Sequence, residues 1–347
     1  MVLSIPIKSA GALQSQFSGP GKVTKGNNAA TFRVLLLEVD VTHIRIATRR
    51  SPLALWQAEF ISAELIRLFP GVTTELIRIV TRGDKILDVP LAAVGGKGLF
   101  TKEIDEALLD GRADIAVHSM KDVPTELPAG TGIRAYPKRA DPRDAIATIT
   151  GGGLESLPEG AKIGTSSLRR VAQIRARHPS FEFIAIRGNI QTRLSKLGKE
   201  VDAVILAAAG VSRMGMQDQM HDFIDTELLL PAVAQGVLGV QTRDADDEIN
   251  ALVDQLNDAD TVSRTLAERA FLARLEGGCQ VPIAAYATLD GDNLHLQGLV
   301  GAVDGSVIIA RRATGARSDA AAIGAALADE VLDAGARPIL QALYANG

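Results

Sequence analysis

The chain has 347 residues, 37 Lys and Arg against 41 Asp and Glu, a formal net charge of −4 and a hydrophobic fraction of 46%. That supplies apolar material for two or three domain cores and excludes general disorder. No run reaches the roughly 18 apolar residues of a spanning helix. Aromatics at 4% disfavour a base-stacking surface, and the single cysteine, Cys279, excludes an internal disulfide framework and a multi-thiolate zinc site. The cysteine usage fits a reducing compartment. His43, His178, His221 and His295 show no metal-ligand spacing, so no metal is expected.

Residues 1–37 carry Lys8, Lys22, Lys25 and Arg33 and no acidic residue. The segment reads as a disordered extension over 1–41 or an upstream start, with an organelle transit segment as the alternative. It has no secretory signal layout.

The folded part is expected to start near His43. Ile44–Thr48 reads as a strand. Ser51 is an N-cap with Pro52 at the first helical position, and the helix runs over Leu53–Arg67. Thr73–Val80 alternates as a second strand, which makes a βαβ unit. Thr101–Leu109 reads as a helix, and Ile115–Val117 as a buried strand ending at His118-Ser119. Pro124, Pro128 and Gly130 mark a break. A second block, 144–230, holds a strand at Lys162–Gly164, a cap-rich turn Thr165-Ser166-Ser167, a helix over Leu168–Arg177, an alternating Phe181–Ile186, a helix over Ile190–Leu197 and a strand at Val204–Ala208. A third block, from about Thr261, opens with a helix through Leu275. Strands at Ala284–Leu289, Leu294–Val300 and Val307–Arg312 follow, then closing helices over Ala321–Leu332 and Pro338–Ala345. This last pattern predicts a small α+β unit with an antiparallel sheet.

Residues 161–200 hold nine Lys or Arg against two Glu in an otherwise acidic protein. Such a cluster implies an anionic partner or, for some members, a solvated helix face. Arg169, Arg170 and Arg187 adjoin strand ends and turns, where ligands of open α/β sheets bind, and arginine forks suit carboxylates. Gly95-Gly96-Lys97-Gly98 lacks phosphate-loop spacing. It reads as a loop that sets Lys97 near an anion, or as a plain turn. His118-Ser119-Met120-Lys121-Asp122 gathers a base, a hydroxyl, an ammonium and a carboxylate at a strand end. It is a functional candidate, with a structural salt bridge as the alternative. Cys279 follows two glycines, which suggest an exposed turn; the alternative is a buried packing cysteine.

These segments together resemble the porphobilinogen deaminase (hydroxymethylbilane synthase) family over about residues 44–345. The likeness rests on Ile46–Ala54, Thr81–Asp84, Val94–Phe100, Ala116–Pro124, Gly164–Arg170, Arg187-Gly188-Asn189 with Arg193, and Leu275–Pro282. A Gly-Gln-Gly pattern of the family stands here as Ala234-Gln235-Gly236.

The resemblance implies an α/β fold of three domains, the first two like periplasmic-binding-protein halves and the third a small α+β unit. The bounds it implies are 42–137 with 237–254, 143–230 and 259–347. It implies a cytoplasmic, monomeric transferase of heme and other tetrapyrrole biosynthesis. Such an enzyme joins four porphobilinogens head to tail with loss of ammonia and hydrolyses the product to hydroxymethylbilane. A dipyrromethane cofactor held by a thioether to Cys279 is implied, with Asp122 as catalytic carboxylate. Arg49 and Ser51 would bind substrate. Asp84, Lys97, Lys121, Thr165, Ser167, Arg169, Arg170, Arg187 and Arg193 would bind the cofactor and growing polypyrrole chain. No nucleic-acid or membrane partner is expected. The rival readings are a non-catalytic anion-binding module, a nucleic-acid binder through 161–200 and a thiol hydrolase at Cys279.

Overall fold

The computed structural model describes residues 41–85, 98–276 and 281–345. The 1–40 extension, Lys97 and Cys279 lie outside them.

The first sheet has the order β2-β1-β3-β10-β4. Strands β1 (His43–Arg49), β2 (Thr73–Ile79) and β3 (Ile115–Ser119) run parallel, and β10 (Leu238–Arg243) lies antiparallel between β3 and β4 (Thr131–Ala135). Helix α1 (Pro52–Leu68) joins β1 to β2. Ser51 Oγ accepts the Ala54 N–H at 3.3 Å. Ala54, Ala58, Ile61 and Leu65, at helical spacing, face the sheet. Ile44, Ile46, Ile61 and Leu65 are fully buried, each stabilising the fold by roughly 1.5–3 kcal/mol. Short α2 (Arg82–Lys85) and α3 (Lys102–Leu109) lead into β3. Thr101 occupies the cap position of α3 without making a side-chain capping bond.

The second sheet has the order β7-β6-β8-β5-β9. Strands β6 (Lys162–Gly164), β7 (Glu182–Ile184) and β8 (Ala203–Ala207) are parallel. β5 (Asp144–Thr148) lies antiparallel between β8 and β9 (Asp222–Ile224). Helices α4 (Leu168–Arg177), α5 (Ile190–Leu194) and α6 (Ala208–Arg213) connect these strands. Helix α5 ends at Leu194, earlier than the sequence pattern predicts: Ser195 N bonds Gln191 O and Lys196 N bonds Arg193 O, closing the helix in tight turns. The chain returns to the first sheet through β10, followed by α7 (Asp247–Asp254).

The third layer is antiparallel: β11 (Ile283–Asp290), β12 (Asn293–Gly301) and β13 (Ile308–Ala316). Helices α8 (Ala259–Arg274), α9 (Ala320–Val331) and α10 (Arg337–Ala345) flank it. Phe271 of α8 is fully buried, and a Cβ at Gly298 of β12 would come 2.4 Å from its ring, so only glycine fits there. The same core takes in Met120, Val123 and Val237, so the turn after β3 rests on it. The architecture is α/β, with two mixed sheets of matching topology and one smaller antiparallel sheet.

Ala234 adopts φ 56° where the family pattern has glycine. Its N–H donates to Glu268 Oε2 at 2.6 Å, and Glu268 pairs with Arg139 in full burial. The left-handed backbone survives the Cβ because this buried carboxylate fixes it.

Candidate functional site

Carboxyl ends of the parallel strands in both mixed sheets supply the site residues, as strand-end loops do in open α/β folds. Strand β1 ends at Arg49, whose Nε donates to Asp84 Oδ1 at 3.1 Å and whose guanidinium lies 4.2 Å from the Phe100 ring centroid. Asp84 also accepts the Thr81 hydroxyl at 2.8 Å. Burial alone would push the Asp84 carboxyl up, but Arg49 and then Thr81 together hold it below the usual range. Arg49 and Asp84, predicted separately for substrate and cofactor, are thus one ion pair. Ser51 caps α1 beside them.

Strand β3 delivers the central group. Its last residue, Ser119, accepts from Gln57 Nε2 of α1 at 2.8 Å. A single 3₁₀ turn, Met120–Asp122, follows. The Met120 N–H donates to Val237 O at 3.0 Å, and Arg269 of α8 donates to Val123 O at 3.1 Å and Pro124 O at 2.7 Å. The turn is therefore gripped from two sides. Arg49, Gln57, Phe100, His118, Ser119 and Asp122 line one cleft. Desolvation lowers the Lys121 ammonium to about 8, against the pull of Asp122 and with repulsion from Arg170 and Arg169.

The second sheet answers with cations. Thr165, buried after β6, accepts the Ser167 N–H at 3.2 Å and shapes the turn into α4. Ser167 stands at the cap position of α4 without a side-chain capping bond. Arg193 Nε donates to Gly188 O at 2.9 Å. Desolvation, then repulsion from Arg170, opposed by Asp122 and reinforced by Arg187, brings Arg193 down to about 10. Arg187 and Arg193 are both partly exposed. These couplings tie the Asp122 turn of the first sheet to the basic face of the second.

Arg169 and Arg170 are buried and anchored within the protein. Arg169 Nη1 donates to Asp144 Oδ2 and to Leu230 O, both at 2.8 Å; Arg170 donates through Nη2 to Asp144 Oδ1 and through Nη1 to Ile205 O, both at 2.7 Å. Burial alone would push Asp144 up; the two guanidiniums hold it far below the usual carboxylate range. The Nε of each arginine is buried without a partner.

Sequence reasoning missed Asp144 and Arg213. Arg213 donates from α6 to Gly236 O at 2.9 Å, and its guanidinium lies 5.7 Å from the Trp56 ring centroid. Burial lowers it to about 10. Neither residue sits in a signature; a search for the counter-ion of the paired arginines would have singled out Asp144.

A dipyrromethane carries acetate and propionate carboxylates on both rings. The donor set fits such a polyanion. Lys121 and Arg193 are held below their usual values by desolvation and by neighbouring cations, a deficit that ligand carboxylates would fill. Two buried arginines also keep an unused N–H.

Among solved structures, the chain is similar to a double mutant of the Bordetella pertussis BvgS VFT2 domain at 13% identity and TM-score 0.38, covering 62% of this chain and 86% of that one. It is similar to the Escherichia coli periplasmic aliphatic sulphonate binding protein SsuA at 14% and 0.38, covering 68% and 71%. A substrate-binding domain of a putative molybdenum ABC transporter from Clostridium difficile matches at 8% and 0.39, covering 62% and 92%. Likeness at this level carries no argument about function. The family models are decisive. "Porphobilinogen deaminase, dipyromethane cofactor binding domain" matches residues 44–251, and "Porphobilinogen deaminase, C-terminal domain" matches residues 262–333. With the motif set spread over both mixed sheets and the matches spanning most of the sequence, the chain belongs to the porphobilinogen deaminase family.

Proposed function

We propose that the cleft where the Asp122 turn faces the basic end of the second sheet is the assembly site, with Asp122 as its catalytic carboxylate. The reaction is that of the family: a transferase of tetrapyrrole biosynthesis that joins four porphobilinogen molecules head to tail, releases ammonia and hydrolyses the product to hydroxymethylbilane. The dipyrromethane cofactor, when bound, supplies the primer to which substrate is added. By the resemblance, Cys279 holds it through a thioether, outside the described residues.

The observation that carries the reading is the electrostatic convergence on Asp122. Lys121 and Arg193 both feel its charge, although they belong to different sheets. Set among these cations, Asp122 can stabilise positive charge that develops on a pyrrole as ammonia leaves. Arg49, on Phe100, and Ser51 hold the incoming carboxylates; Lys97, Lys121, Thr165, Ser167, Arg187 and Arg193 hold the cofactor and chain, together with Arg169 and Arg170. Asp84 acts through Arg49.

Three domains, at 42–137 with 237–254, 143–230 and 259–347, would let the cleft open as the product grows, the first two in the manner of periplasmic-binding-protein halves. The protein works as a cytoplasmic monomer on porphobilinogen alone, unless residues 1–40 direct organelle import. Among the described residues no helix is long and apolar enough to cross a membrane.

The test is Asp122→Asn. The near-isosteric change keeps the fold and the covalent cofactor. Removing one preorganised electrostatic group lowers turnover by roughly 100-fold or more. A loaded, folded variant within tenfold of the parent would remove Asp122 from this role.

A further inference from the structure

His118, next to last in β3, opens on the same cleft as Asp122 yet has no part in the scheme above. It is 6% exposed and lines the cleft with Arg49 and Asp122. Its Nε2 lies 2.9 Å from Gln241 Oε1 on the adjacent strand β10. Gln241 is fully buried, and its amide has one allowed orientation: Nε2 donates to Asp105 Oδ1 at 2.9 Å and to Thr131 Oγ1 at 3.0 Å. Its Oε1 therefore accepts, and His118 Nε2 carries the proton. That leaves the lone pair on Nδ1, to which nothing donates among the described residues. Desolvation, opposed by the Gln241 bond and aided by the Arg49 charge, lowers His118 to about 4, so the ring is neutral at physiological pH.

We infer that His118 Nδ1 is the acceptor for the aminomethyl ammonium of incoming porphobilinogen, aimed into the cleft by the Asp105–Gln241 chain. The inference rests on the assembly-site reading above and adds a substrate-contacting residue to it. Porphobilinogen brings two carboxylates and one ammonium. Arg49 and the basic face suit the carboxylates but repel the ammonium, for which the cleft lining offers the Asp122 carboxylate on one residue and the His118 imidazole on another. A neutral imidazole orients that group without holding it in an ion pair. The C–N bond then breaks with its electron pair going to nitrogen. Ammonia leaves as NH₃, and the positive charge stays on the pyrrole ring in the field of Asp122. An imidazolium at this place would repel both the incoming ammonium and the developing cation.

Two substitutions separate contact from scaffold. In His118→Asn the amide oxygen takes the place of Nδ1, while the reach to Gln241 is lost. In His118→Gln the amide nitrogen keeps the Gln241 bond, while the Nδ1 acceptor is lost. With cofactor loading verified by intact mass, kcat/KM falls roughly 10- to 100-fold in His118→Gln, the range for a hydrogen bond to a charged group, and stays within about fivefold of the parent in His118→Asn. The reverse order would make His118 a strut and overturn the inference. An inactive parent would overturn the assembly-site reading instead. Should neither variant take up cofactor, ¹⁵N NMR of the parent protein decides. The ring must be the neutral Nε2–H tautomer at pH 7, and an Nδ1–H tautomer or an imidazolium overturns the assignment.

Discussion

Replacing Asp144 by Asn removes the only carboxylate that both Arg169 and Arg170 touch among the described residues. Asp144 is fully buried, and the two arginine side chains are 4% and 7% exposed. Asn matches the shape but offers one acceptor oxygen to two guanidiniums, and its amide N–H₂ points donor against donor. Gln235 Nε2, which also donates to Asp144 Oδ1 at 3.0 Å, is affected too. Breaking a buried pair by removing one partner costs about 3–5 kcal/mol. Both arginines keep main-chain acceptors at Leu230 O and Ile205 O, which places the cost near the lower end, about 3 kcal/mol. With a urea slope of about 3 kcal/mol/M, the unfolding midpoint moves down by roughly 1 M. Circular dichroism in a urea series reads this directly. Because Asp144 fixes the arginines behind the basic face, the variant also takes up less cofactor, seen as a larger unmodified peak in intact mass. A midpoint shift below about 0.3 M would refute the claim that this triad organises the second sheet.

Changing Ala234 to Gly relieves a left-handed backbone that costs a non-glycine residue roughly 1–2 kcal/mol, offset in part by chain entropy of about 0.5–1 kcal/mol; a Tm rise of roughly 1–3 °C in calorimetry is expected, and a fall would contradict the strain. The His118 ring is lowered on folding, so between pH 6.5 and about 4 the unfolded chain binds more protons. Stability present above pH 6.5 is therefore lost as the pH falls through that window, and the stability difference between parent and His118→Gln shrinks by up to about 1.4 kcal/mol per pH unit. A difference independent of pH would contradict a neutral, buried imidazole. Lys at both 169 and 170 keeps the charge but cannot span Asp144 and a carbonyl together. Native mass spectrometry with limiting porphobilinogen should show chains stalled part-way, and a parent-like ladder would leave bulk charge as the explanation.

Local patterns carried the βαβ start and the antiparallel third layer, because those elements pair with near neighbours in sequence, and the Ile115–Val117 strand, because it is a short continuous apolar run. Strands β4, β5, β9 and β10 escaped notice. β10 pairs with Ile115–Ser119 more than a hundred residues away, and no local period reports such a partner. The strand β5, Asp144–Thr148, is buried throughout and shows no alternation. The same blindness to distance explains the arginines. A cap-rich turn followed by Arg169-Arg170 advertises an anion site, but Asp144, 25 and 26 positions earlier, is invisible until the sheet forms. The pairing of Arg49 with Asp84 and the neutral state of His118 likewise depend on neighbours brought by folding.

A polyanionic cofactor held by this basic cleft is tested most directly by intact-protein mass spectrometry of the purified chain. A single covalent adduct of two linked pyrroles is expected, abolished by Cys279→Ser together with nearly all porphobilinogen consumption. An unmodified parent chain that turns over at full rate would contradict it.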